Sequence, residues 1–151
     1  MLRPAGFHSN ALLWSETVRR QRLVRAPFGD VALPTVDPAD IAAVAALALT
    51  RDGHGGATYE LTGPAALTPR QQAAAIGEAL GEPVRFVEQA AGEARAQLLR
   101  FMPEPVVEAT LGILGTPSER EQRVSPDVPR LLGRAPGGFA DWAARHAAAF
   151  R

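Results

Sequence analysis

Ten residues, Val31 to Asp40, do most to limit what this chain can fold into. Val31-Ala32-Leu33-Pro34-Thr35-Val36 has the make-up of a short strand. Pro34 inside it predicts an edge or irregular strand, because proline has no N–H to give to a ladder. Asp37-Pro38-Ala39-Asp40 then starts a helix: Asp37 can cap, Pro38 suits the first helical position, and Asp40 favours the positive helix end. Ile41, Val44, Ala45, Ala48 and Leu49 continue it as an apolar stripe that should stop near Arg51-Asp52-Gly53.

The same alternation recurs along the chain. Phe7, Ala11, Trp14 and Val18 line one face of a helix running from Phe7 to about Arg22, followed by a turn at Ala26-Pro27-Phe28-Gly29-Asp30. Thr58-Tyr59-Glu60-Leu61-Thr62 alternates as a strand does. Thr68 and Gln71 stand at capping-box spacing, and Gly81 closes the helix they begin. Pro83 to Val87 reads as a strand, then Ala91–Phe101 and Glu104–Leu114 as helices split by Pro103 and Pro105. Residues 119–136 read as loop. Phe139, Trp142, His146 and Phe150 share one closing helical face. Helices alternating with strands predict an α/β fold.

Composition closes off several chemistries. The 151 residues contain no cysteine, which excludes disulfides and thiolate catalysis. All 16 basic residues are arginine, so neither a Schiff base nor a Tyr-x-x-x-Lys relay can be built from this chain. Sixteen acidic residues balance them, which argues against a broad nucleic-acid surface or a polybasic membrane anchor. The most apolar stretch, Ile41 to Leu49, is half of the ~20 residues a membrane helix needs. A soluble cytoplasmic protein is the expectation.

Local chemistry is sparse. Gly53-His54-Gly55-Gly56 follows a helix and precedes a strand, the reverse of a dinucleotide loop, and reads as a helix stop. His8, His54 and His146 are too scattered for a metal site, and His146 between Trp142 and Phe150 reads as a packed histidine. Asp37 and Asp40 form a close carboxylate pair that helix capping explains. Tyr59 reads as strand packing. No catalytic constellation and no metal site emerges.

The amino terminus is more telling. Arg3-Pro4-Ala5-Gly6-Phe7-His8-Ser9-Asn10, followed by a tryptophan-bearing helix, resembles the L-R-P-x-x-F-x-x-N stretch of the NmrA-like, atypical short-chain dehydrogenase/reductase family. Pro34-Thr35-Val36-Asp37-Pro38-Ala39-Asp40-Ile41-Ala42 is similar to that family's V-D-P-x-D-I-A junction. Tyr59-Glu60-Leu61-Thr62-Gly63-Pro64, Leu67-Thr68 and Ala79-Leu80-Gly81 follow its next run, and Arg134 to Phe150 its closing helix.

The resemblance implies residues 1–151 as a single partial domain: the carboxyl-terminal part of a Rossmann-type NAD(P)-binding fold, with a small substrate-side α/β region. The glycine-rich phosphate loop would lie upstream, and the chain would open inside a sheet strand. By the same resemblance, Pro4, Gly6, Phe7 and Asn10 would form a cofactor wall, and Phe7, Asn10 and Trp14 would face substrate. The implied function is that of an NAD(P)H-dependent oxidoreductase acting on a carbonyl or quinone-like small molecule. A non-enzymatic redox-sensing or partner-binding regulator, or a non-functional fragment, is the alternative. NAD(P)H would bind weakly to this portion alone, and the open sheet edge calls for self-association or for the other half.

Overall fold

The computed structural model describes residues 1–151. The chain opens with β1 (Leu2–Pro4) and β2 (Gly6–Phe7). A 3-10 segment, His8–Trp14, then leads into α1 (Ser15–Gln21), so the single helix expected over Phe7–Arg22 is instead a short strand, a 3-10 turn and seven residues of α-helix. After these come β3 (Leu23–Ala26), β4 (Leu33–Val36), α2 (Pro38–Thr50), β5 (Tyr59–Leu61), β6 (Ala66–Leu67) and α3 (Pro69–Leu80). The chain finishes with β7 (Arg85–Glu88), α4 (Ala91–Leu98), α5 (Glu104–Gly115), α6 (Glu119–Gln122), α7 (Asp127–Leu132) and α8 (Phe139–Arg145). A last 3-10 turn spans Ala147–Phe150.

The local signals act as their chemistry requires. Asp37 caps α2 by accepting from the Ala39 amide, and Thr68 with Gln71 closes a full capping box on α3. Gly81 ends α3 at φ 71°, a left-handed conformation that glycine adopts without a Cβ penalty. A second capping box, Ser118 with Glu121, starts α6, and α7 follows it. The stretch expected to be loop over residues 119–136 therefore carries two short helices.

Parallel pairing dominates. β1 lies beside β5 in the register Leu2↔Tyr59 to Pro4↔Leu61, and β3 lies beside β7 from Leu23↔Arg85 to Ala26↔Glu88. β2 pairs in parallel with β4, which pairs antiparallel with β6 on its other side. Of the two readings of the Pro34 strand, edge or irregular, the edge is thus corrected: β4 is the middle strand of three. It tolerates proline because its neighbours are staggered. Leu33 and Pro34 face β6, while Thr35 and Val36 face β2.

Two apolar clusters hold these layers. The larger unites Val18 of α1, Val24 of β3, Ile76 of α3, and Phe139, Trp142 and Phe150 of the closing segment. The smaller packs Val44 of α2 and Val128 of α7 against Val36, Tyr59 and Leu61. Tyr59 is buried in its strand, as its sequence context predicts. No helix is long and apolar enough to cross a membrane.

Candidate functional site

The run Leu2–Phe7 passes from one sheet to the next. Its first half pairs with β5 and its second with β4, and the Ala5 amide donates to Leu61 O at 2.9 Å between them. The run ends at the carboxyl edges of parallel strands, which is where open α/β sheets bind ligands. There Pro4, Gly6, Phe7 and Asn10, referred to below as the ledge, are each exposed. Phe7 leaves 41% of its surface to solvent. Trp14 is less exposed. It is half-buried against the larger core cluster.

Between Phe7 and Asn10 sits His8, buried to 2% exposure. Both ring nitrogens have partners: Nδ1 lies 2.8 Å from Thr35 Oγ1, and Nε2 lies 3.2 Å from Gly137 O. A carbonyl can only accept, so Nε2 carries the proton and Nδ1 of the neutral ring accepts from the Thr35 hydroxyl. Burial pushes the His8 pKa below its ordinary 6.5, opposed by the Gly137 hydrogen bond and by the charges of Asp37 and Asp40. Phe139 and Trp142 meet the ring edge-on, with centroids at 5.4 and 6.2 Å.

Asp37 and Asp40 do more than cap α2, which corrects the reading that capping explains them. Both are buried. Asp40 accepts the Gly137 amide at 2.7 Å and binds Arg134 at 2.7 Å, while Asp37 is paired with Arg145. Gly137 is therefore gripped through both of its backbone groups, its N–H by Asp40 and its C=O by His8. Gly63 completes the packing. A Cβ there would lie 2.5 Å from Thr35 O and 3.4 Å from His8 Cε1, so only glycine fits.

His8 and the two arginines are the residues that sequence reasoning missed. Their partners lie far along the chain, 129 residues away for His8 and Gly137. The local Arg-Pro and Asp-Pro signals carry no sign of those contacts. His146, read as packed, stacks on Trp142 with centroids 4.5 Å apart but on the solvent side. His54 bonds Tyr59 through Nδ1 and the phenol oxygen at 2.8 Å, well away from the ledge in sequence. Nowhere do three His, Cys, Asp or Glu side chains converge as metal ligands would.

A polar groove lies beside β5, where Glu60 holds both Arg120 and Arg123. The Arg120 hydrogen bond, then that of Arg123, lowers the Glu60 pKa. The glycines at 53, 55 and 56 have open space around them and precede β5, so they make no phosphate cradle.

No family model matches the sequence. Among characterised proteins, it is 43% identical to the (4-alkanoyl-5-oxo-2,5-dihydrofuran-3-yl)methyl phosphate reductase of Streptomyces griseus, over 99% of this chain and 53% of that protein. It is 35% identical to the NAD(P)H azoreductase of Xenophilus azovorans, over 99% of this chain and 53% of that protein. The chain is similar to part of the NmrA-like NAD(P)-binding reductases. It spans about half the length of the curated relatives it matches, and a carboxyl-terminal portion fits that coverage.

Solved structures agree on the fold. An NADPH-dependent quinone oxidoreductase of Escherichia coli superposes with a TM-score of 0.76 at 22% identity, over 94% of this chain and 52% of that one. The triphenylmethane reductase of Citrobacter, complexed with NADP(H), gives 0.75 at 22% identity, over 96% and 51%. The fold is thus α/β and part of a Rossmann-like domain.

Proposed function

We propose that this chain supplies the acceptor-side portion of an NAD(P)H-dependent reductase. The observation that carries the reading is the likeness to two reductases over 99% of the chain, at 43% and 35% identity. The ledge at the carboxyl ends of β1 and β2 is the part of this portion suited to the work. When bound, the dinucleotide supplies a hydride to an electron-poor carbonyl, quinone or azo acceptor.

The residues present fit one face of a nicotinamide and not a pyrophosphate. Pro4 and Gly6 shape the wall and leave it open, and Phe7 gives it an apolar surface that excludes water. The Asn10 amide would donate a hydrogen bond to an acceptor oxygen as negative charge gathers there. No side chain on the ledge titrates near neutrality, so the final proton comes from solvent. The acceptor is a small dissolved molecule, and a cytoplasmic location accompanies this reading.

The test joins this chain to the amino-terminal half of the Streptomyces griseus relative and follows NADPH oxidation with quinone and azo acceptors. The reading expects turnover by the chimera and little NADPH binding by the 151-residue chain alone. Asn10→Ala should lower kcat/KM roughly tenfold, the equivalent of one hydrogen bond to a developing charge. A chimera that binds NADPH but reduces no acceptor would overturn the reductase reading in favour of a redox-sensing regulator. Tight NADPH binding by the isolated chain would overturn the assignment of the phosphate-binding surface to the other half.

A further inference from the structure

The geometry points to His8 as a positioning residue that couples the closing segment of the chain to the ledge. Three elements meet at its ring. The strand β4 presents Thr35, the turn before α8 presents Gly137, and His8 itself begins the 3-10 segment that carries Asn10. That segment has no side-chain cap at its start. Its orientation is instead set from the side, by a ring that bonds through both nitrogens and is wedged between Phe139 and Gly63.

The grip runs in both directions. Gly137 is held by His8 through its carbonyl and by Asp40 through its amide, and Asp40 is anchored by Arg134. A shift of residues 134–138 therefore moves the acceptor of His8, and through the ring it moves Phe7 and Asn10. The charged groups facing His8 are Asp37, Asp40 and Arg145, with Arg134 behind Asp40. A second proton on the ring would have to sit on Nδ1, where it reverses the Thr35 hydrogen bond.

This inference rests on the proposed function only in calling the ledge a site. Its test needs neither cofactor nor turnover, so the two can fail separately. Amide hydrogen exchange is followed on the 151-residue chain in three places: residues 7–14, residues 133–138, and α3 as an internal reference. In His8→Phe, which keeps the ring volume without its nitrogens, exchange at both 7–14 and 133–138 should rise roughly tenfold while α3 is unchanged. His8→Gln offers a donor and an acceptor, and should restore both segments. Lowering the pH from about 8 to about 5.5 should loosen the two segments together in the native chain and leave His8→Gln unaffected, once intrinsic exchange is corrected.

Loosening of 133–138 without 7–14 would overturn the coupling. So would an equal rise in α3, which would make His8 ordinary core. If His8→Phe does not fold, the comparison of native and His8→Gln chains across pH decides. A common pH response of the two segments that His8→Gln abolishes sustains the proposal. The same response in both proteins, or none in either, refutes it.

Discussion

The closing segment and the α4–α5 hairpin both pair arginine with carboxylates, yet the fold treats them in opposite ways. Residues 134–150 place Trp142, Phe139 and Phe150 in the core and bind Arg134 and Arg145 to buried carboxylates. The hairpin of α4 and α5 leaves Phe101 78% exposed, with Leu99, Met102, Val106 and Ile113 also facing solvent. Its ion pairs join Arg95 to Glu104 and Glu108 on the surface. Both regions hold aromatic residues and arginine–carboxylate pairs. Their difference lies in what surrounds each pair, and burial is what turns a contact into a constraint.

The sharpest way to break the contrast is Trp142→Ala. Removing this fully buried ring should cost about 3–5 kcal/mol in urea unfolding. Asp40→Ala comes next. It strips the acceptor from Gly137 and leaves Arg134 unpaired, and should cost about 3 kcal/mol, at the low end for a buried pair because Arg134 reaches solvent. On the hairpin, Phe101→Ser should change unfolding by less than about 0.5 kcal/mol while reducing binding of an apolar dye. Glu108→Gln should leave the melting temperature unmoved, since its pair with Arg95 is solvated. If the hairpin substitutions cost as much as the closing-segment ones, the contrast is wrong.

Acid offers a graded version of the same comparison. The His8 pKa is lowered in the fold, so the unfolded chain takes up a proton first as pH falls below about 6.5. The contribution of neutral His8 is complete above that value and declines as pH drops through it. The carboxylates of Asp30, Glu60, Glu82 and Glu121 are lowered as well, and their contributions fade only in more acid solution, below about 4.5. Urea midpoints measured across pH should therefore first fall near 6.5 in the native chain. That first fall should be absent from His8→Gln.

What could be read in advance was local. Asp37-Pro38, the Thr68–Gln71 box and Gly81 act within a few residues of themselves, and each formed the boundary that its chemistry requires. β3 escaped notice because Leu23 and Val24 are a mere pair of apolar residues between arginines, and only the pairing with β7 makes them a strand. The Ser118–Glu121 box was not recognised within a stretch read as proline-bearing loop. The ledge residues were nameable, as candidates, through their resemblance to a known stretch. The support behind them was not, because Thr35, Asp40 and Gly137 are brought to His8 by the fold alone.

The bond between His8 and Gly137 also has a meaning for how the protein is made. Translation releases residue 8 early and residue 137 near the end of this stretch of chain, so the ledge waits unpinned while the intervening 128 residues emerge. Contacts of such long reach are slow to form, because the loop between them must be closed first. A nascent chain stalled before Arg134 would hold every strand and α1 to α7 in its sequence, but the turn that carries Asn10 would still lack its fastening.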